Sequence, residues 1–335
     1  MKKKYVTMFS IFFAIAPLIT MIFCLGIGRY QLTFFETAEA LWKAMTGGEV
    51  DAIVFSVLFK VRLPRVLLAL LVGAGLSVAG ASFQSLFGNP LATPDTLGVA
   101  TGASFGAVLG LLLSDNMIAV QLMALAFGLI SLLLTYLVSK MNGKSSIIMI
   151  VLSGMVVSSI FQALVSLVKY VADPEEDLPA ITYWLMGSMS RATVKSLLIG
   201  APFIIIGIIL IFALRWRLNI LSLQEEEAKS LGVNVKWLRI LVMVASTMVT
   251  ASCVSMCGQV GWVGLLIPHA ARMIYGSDNR RIIPACIGVG ATFMVIIDTV
   301  ARAATAAEIP VSILTALIGA PFFVLLLRKT GGTKL

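Results

Sequence analysis

Few side chains in this 335-residue sequence could carry chemistry, so they can be taken one at a time. Gly143-Lys144-Ser145-Ser146 has the ending of a phosphate-binding Walker A loop. The motif also needs a glycine at position 138, which is Val138, and a preceding strand; neither is present, and nucleotide binding is excluded there. No G-x-G-x-x-G follows a strand either. His269, in Ile267-Pro268-His269, is the only histidine. A metal or haem would need a second ligand beside it, so the expectation is a hydrogen-bonded helix-end histidine. Cys24, Cys253, Cys257 and Cys286 lie in apolar runs without a C-x-x-C pair and read as small core residues. Asp298 lies inside an apolar run. Such an acid is a functional candidate, but Arg302 four residues on offers it an ion pair on the same helix face. Ser158, Gln162, Ser166 and Lys169 share one helical face, which can line a wet path or bind helices together. Arg62, Arg65 and Arg302 fall at ends of apolar runs. Separately they would snorkel to lipid head groups; converging, they would form a receptor for carboxylates of an external protein.

The elements that must hold these residues are membrane helices. The chain is 59% hydrophobic and only 12% charged, with mean hydropathy +1.01. A soluble domain of this length could not bury so much apolar surface, and runs near 20 residues recur throughout. The fold expected is all-α and polytopic, one domain over residues 1–335 with about ten spans. These are Tyr5–Gly28, Val66–Phe87, Leu97–Leu113, Met117–Ser139, Ile147–Val171, Val194–Leu214, Ile240–Cys257, Gly258–Arg272, Ile282–Ala303 and Pro310–Leu327. An amphipathic stretch, Gln31–Met45, is expected on the outer surface, and a short interfacial helix over Ile181–Met189. The glycines at 98, 102, 106 and 110 make a flat ridge for close helix packing. Ten spans put both termini inside, and most of the 25 lysines and arginines then fall inside as well. The net charge of +9 suits anionic lipid; no basic patch interleaved with aromatics points to nucleic acid. The second and seventh spans each run into a turn and a short glycine-rich helix, in opposite directions, which hints at an inverted repeat.

The longest polar segment, 215–239, joins spans six and seven on the inside. Ser222 and Glu225 form a capping box, Glu225, Glu226 and Glu227 favour the first turn, and Gly232 is placed to end the helix. This short helix needs a surface to pack on. It reads either as a docking element for a cytoplasmic partner or as an ordinary solvated loop.

Four stretches together carry a resemblance: RLPRVLLALLVGAGLSVAGASFQSLFGNPLATPDTLGVATGASFGA, LSLQEEEAKSLGV, GWVGLLIPHAARM and EIPVSILTALIGAPFFVLLLRK. In this order and spacing, from about Arg62 to Arg328, the chain closely resembles the FecCD family, the membrane subunits of ATP-driven importers for iron–siderophores, haem and cobalamin. The resemblance implies a homodimer, or a pair with a sister permease, in the bacterial or archaeal cytoplasmic membrane. It also implies two copies of a separate cytoplasmic ATPase, which binds the ATP, and an extracytoplasmic substrate-binding protein. The chain itself is then not an enzyme and needs no cofactor. The resemblance assigns Arg62, Arg65 and Arg302 to the binding protein's glutamates. It assigns Ser222, Glu225, Glu226, Ala228, Leu231 and Gly232 to ATPase coupling. Asn89-Pro90-Leu91 and Ser145-Ser146 become cytoplasmic gates, and a path at the dimer interface runs along span five, with Ser158, Gln162 and Ser166, and span ten. Iron–siderophore is the expected cargo, with cobalamin or haem the alternatives. The reading from another class, an ion-driven secondary transporter, would want buried titratable pairs, and Asp298 is the one acid the spans offer.

Overall fold

The computed structural model describes residues 3–140, 147–221, 227–228, 232–305 and 307–330. The chain begins with α1 (Lys3–Gly26) and α2 (Phe34–Thr46). A continuous helical stretch then changes character twice: α3 (Ala52–Phe55), a π-helical segment (Ser56–Arg62) and α4 (Leu63–Phe87). A 3₁₀ turn (Pro94–Leu97) leads to α5 (Val99–Leu113). Next come α6 (Met117–Ser139), α7 (Ile147–Val171), α8 (Asp177–Leu185), α9 (Val194–Leu214) and the single turn α10 (Leu218–Leu221). The chain continues with α11 (Val235–Cys257), α12 (Val263–Tyr275), α13 (Asn279–Ala304) and α14 (Val311–Thr330).

The bundle is layered by exposure. α4 and α11 are buried almost all round, as apolar helices without a polar face must be. α13 packs beside α4, and α6, α7 and α9 turn broad apolar faces outward. Small residues allow the inner contacts. A side chain on Gly73 would strike the Gly290 carbonyl, and one on Gly80 would strike the Gly264 carbonyl. The α5 ridge behaves as its spacing requires: Gly102, Gly106 and Gly110 lie directly against Ser131, Met123 and Val120 of α6.

Among the described residues, six helices are long and apolar enough to cross a membrane, and three shorter apolar stretches lie in α1, α5 and α14. The sequence boundaries of α6, α7 and α9 match residue for residue. Others are corrected. Span seven begins at Val235, not Ile240, because Asn234 caps it by accepting from the Trp237 N–H. The interfacial helix lies at Asp177–Leu185, ahead of the expected stretch. Span two starts fourteen residues early with α3; the π-helical widening ends beside Pro64, which has no N–H to give to a regular ladder. Span eight is a helix only from Val263. At 13 residues, or about 20 Å, α12 is shorter than the roughly 30 Å hydrocarbon core.

The α2 helix is amphipathic as expected and starts with a capping box between Thr33 and Glu36. Its Phe35, Trp42 and Met45 are exposed. The Thr33 N–H and hydroxyl hold the Glu36 carboxyl below its usual range.

Candidate functional site

At one end of the bundle the three singled-out arginines do converge, but inward. Arg62, Arg65 and Arg302 are only 4%, 6% and 7% exposed. Arg62 donates to the carbonyls of Leu25 (2.7 Å), Gly26 (3.0 Å) and Tyr30. Arg302 donates to the carbonyl of Cys24. Together they satisfy the free carbonyls at the C-terminus of α1, where positive charge is also favoured by the helix dipole. Arg65 is held by two carboxylates: Nε donates to both oxygens of Asp298 (2.8 and 3.0 Å), and Nη1 to both oxygens of Glu308 (3.0 and 2.9 Å). The expected Asp298–Arg302 pair is therefore secondary. It is present at 3.8 Å, while the close partner of Asp298 comes from another helix. Glu308 was not foreseen as a member of this cluster, and the Cys24–Gly26 carbonyls carry no side-chain signal that could have announced them.

Farther in, a cavity of about 230 Å³ is lined by Thr93, Asp95, Thr101, Gln162, Thr250 and Gln259, among others. Residues 93–95, at the 3₁₀ turn before α5, and 259–262, the non-helical lead-in to α12, both line it. Non-helical backbone at membrane depth is tolerated where it lines such a space. Of the path residues, Gln162 lines the cavity. Ser158 lies beside Gly98 at its margin, and Ser166 donates to the Gln162 carbonyl on an exposed face of α7. Among the described residues, no lysine or arginine lines the cavity.

At the other end, Asn89 closes its turn by accepting from the Leu91 N–H (2.9 Å), and Leu91 is exposed. Pro90 lies within this turn. Just before it, Gln84 accepts from Arg272 of α12, and Ser85 donates to the Asn279 side chain (3.0 Å). Asn219 of α10 clamps the start of α13: its Nδ2 donates to Asp278 (3.0 Å), and its Oδ1 accepts from the Asn279 N–H (2.9 Å). Burial pushes the Asp278 carboxyl up, but the Asn219 bond, the Arg280 N–H and the Arg280 and Arg281 guanidiniums outweigh it and leave the group below its usual range. Ser145, Ser146, Ser222, Glu225, Glu226 and Leu231 lie outside the described residues. Ala228 is 1% exposed and packs into this chain's own core. Gly232 has φ +72°, a left-handed helix-ending conformation.

His269 corrects an expectation. It is buried with neither ring nitrogen hydrogen-bonded, and its ring meets Phe323 edge-on at 6.0 Å between centroids. The four cysteines are buried and unpaired. Among the described residues, no group of three His, Cys, Asp or Glu side chains could hold a metal ion.

Apolar helices long enough to cross a membrane, packed around a polar cavity, are those of a multi-pass membrane protein. The chain belongs to the FecCD transport family, whose model matches residues 16–329. It is 45% identical to the molybdate import system permease MolB of Haemophilus influenzae, over 93% of this chain and 92% of that one. It is 39% identical to a protein named as an iron chelatin transport system permease from Helicobacter pylori strain 26695, over 82% and 83%. A solved inward-facing metal-chelate type ABC transporter superposes with TM-score 0.87 at 41% identity, covering 96% of this chain and 98% of that one. The chain is thus an ABC importer permease, a multi-pass protein of the cytoplasmic membrane that works with a separate ATPase subunit and a substrate-binding partner.

Proposed function

We propose that this permease carries an iron–siderophore or related metal chelate into the cytoplasm. It acts as a homodimer or beside a sister permease, on two copies of the ATPase, with both termini cytoplasmic and residues 1–335 forming one permease domain. The observation that carries this reading is the cavity lined by 93–95 and 259–262. It is polar through amides, hydroxyls and one carboxylate, and among the described residues no lysine or arginine there offers a fixed cation to trap an anionic chelate in transit. Conduction requires binding weak enough to leave. Gln162 lines that route, and Ser158 and Ser166 extend it along α7. Asn89, Pro90 and Leu91, with Ser145 and Ser146, close the route on the inside. Arg62, Arg65 and Arg302 receive carboxylates of the binding protein; in support, they meet at one outer corner with one more cation than the two carboxylates beside them. The segment with Ser222, Glu225, Glu226, Ala228, Leu231 and Gly232 engages the ATPase, and the Asn219 clamp on α13 ties that segment to the bundle.

A second reading, molybdate as cargo, is favoured by the 45% identity to MolB. Proteoliposomes holding the permease, its ATPase and its binding protein decide between them. ATP-dependent uptake of ⁵⁵Fe-loaded hydroxamate siderophore, with none of ⁹⁹Mo-molybdate, is the expected result. Molybdate uptake alone overturns the cargo assignment. Uptake driven by a proton gradient without the ATPase would overturn the transport class.

A further inference from the structure

Arg65 is shared by two carboxylates that differ in every respect that matters for exchange. Asp298 lies within α13, and its side chain is 1% exposed. Glu308 lies on the loop between α13 and α14, and its side chain is 26% exposed. Its backbone is left-handed, with φ +54°, a conformation uncommon for a residue with a Cβ. The loop is held in that turn by the Ile309 N–H donating to the Ala301 carbonyl (3.0 Å). The result is a carboxylate folded back over Nη1 of Arg65, on the side of the guanidinium nearest water, with both oxygens engaged.

We propose that Glu308 is an internal stand-in for a partner carboxylate: it occupies Nη1 of Arg65 until an acidic side chain of the binding protein takes its place. The inference rests on the reading of the arginine cluster as the binding protein's receptor. It accounts for what that reading left open, namely that all three arginines are buried and already hydrogen-bonded within the chain. A bare buried guanidinium would be costly. Exchanging one carboxylate for another keeps Arg65 satisfied throughout, because Asp298 never leaves Nε, while the released Glu308 swings into water. The incoming group must be a carboxylate that reaches the depth of Nη1, so the stand-in also screens out neutral or short side chains. Binding is weakened by the competition, and the complex comes apart readily after delivery.

The test compares the parent complex with Glu308→Gln and Glu308→Ala in nanodiscs with the ATPase, using the purified substrate-free binding protein of the same system as the probe. Both variants should bind it more tightly, roughly three- to tenfold, the scale of one partly exposed charged pair. Arg65 should also become more reactive toward phenylglyoxal in Glu308→Ala when the binding protein is absent. Unchanged or weaker binding overturns the proposal, and so does failure of both variants to assemble, since Glu308 would then be a structural brace. The paired reversal Arg62→Glu with Arg65→Glu separates the two levels of argument. If it abolishes binding while the Glu308 variants do nothing, the receptor stands and the stand-in falls. If it leaves binding intact, the receptor reading falls and takes the stand-in with it.

Discussion

Arg65 shows how a residue can be legible in kind and illegible in setting. Its type and place at the head of α4 marked it from sequence, and so did the convergence with Arg62 and Arg302. Its partners did not, because Asp298 and Glu308 lie more than 200 residues away and the nearer Arg302 offered Asp298 an obvious local pair. The tertiary contact wins because Nε of Arg65 reaches both oxygens, whereas Arg302 stays at 3.8 Å. Removing Asp298 leaves two buried guanidiniums short of charge. Asp298→Ala should therefore cost about 3–5 kcal/mol, read as a fall in the thermal unfolding midpoint of the purified protein; a midpoint within about 2 °C of the parent would mean the pair is dispensable. Asp278 gives a pH prediction of defined sign. Its carboxyl is depressed in the folded protein, so its contribution is present above the unfolded value near 3.9 and is lost as pH falls through the folded value. Below about pH 4 the parent should lose more stability than Asp278→Asn, which keeps a capping side chain but does not titrate there. Equal acid sensitivity would place the loss elsewhere.

Among the elements, the sequence read best where a helix faces lipid on one side and ends in a polar turn, as α6, α7 and α9 do. It read worst where backbone hydrogen bonding overrides hydropathy: at the π-helical segment before Pro64, at the Asn234 cap, and at α12, whose extended lead-in is as apolar as a helix. Glycine contacts then set how closely these elements sit. Gly80→Ala should sharply reduce the yield of monodisperse protein, because the added methyl meets the Gly264 backbone, which cannot yield. Gly261→Ala is the control, since nothing lies within 4 Å of its added atom. Similar yields for the two would refute a tight α4–α12 seam. The loop from 215 to 239 makes a second case. Gly232→Pro replaces φ +72° with a fixed φ near −65°, which redirects the entry to α11. The variant should insert normally yet co-purify poorly with the ATPase and lose uptake; full uptake with the ATPase bound would show that this segment is not the coupling element.

For the whole molecule, composition alone fixed the class, and the four sequence stretches fixed the family. The cargo was not legible: the cavity is lined by side chains that suit many solutes, and relatives with similar sequences carry different ones. Sidedness is open to a direct check. Single cysteines at 226 and 175, in a background without the native four, should label from opposite faces of the membrane, with 226 cytoplasmic. Labelling from one face would sink the ten-span arrangement.

The arginine-capped end of α1 has a consequence for how the protein is made. α1 enters the membrane first, but one of its caps, Arg302 on the Cys24 carbonyl, comes from a residue 278 positions later. At about 5–20 residues per second of synthesis, that end of α1 waits roughly 15–55 s for its last donor. During the wait it is an unfinished part exposed to membrane quality control. Chains stopped before Asn279 should leave Cys24 open to N-ethylmaleimide in a background with the other cysteines replaced, and completed chains should shield it. The last helices made would then be the ones that lock the first one in place.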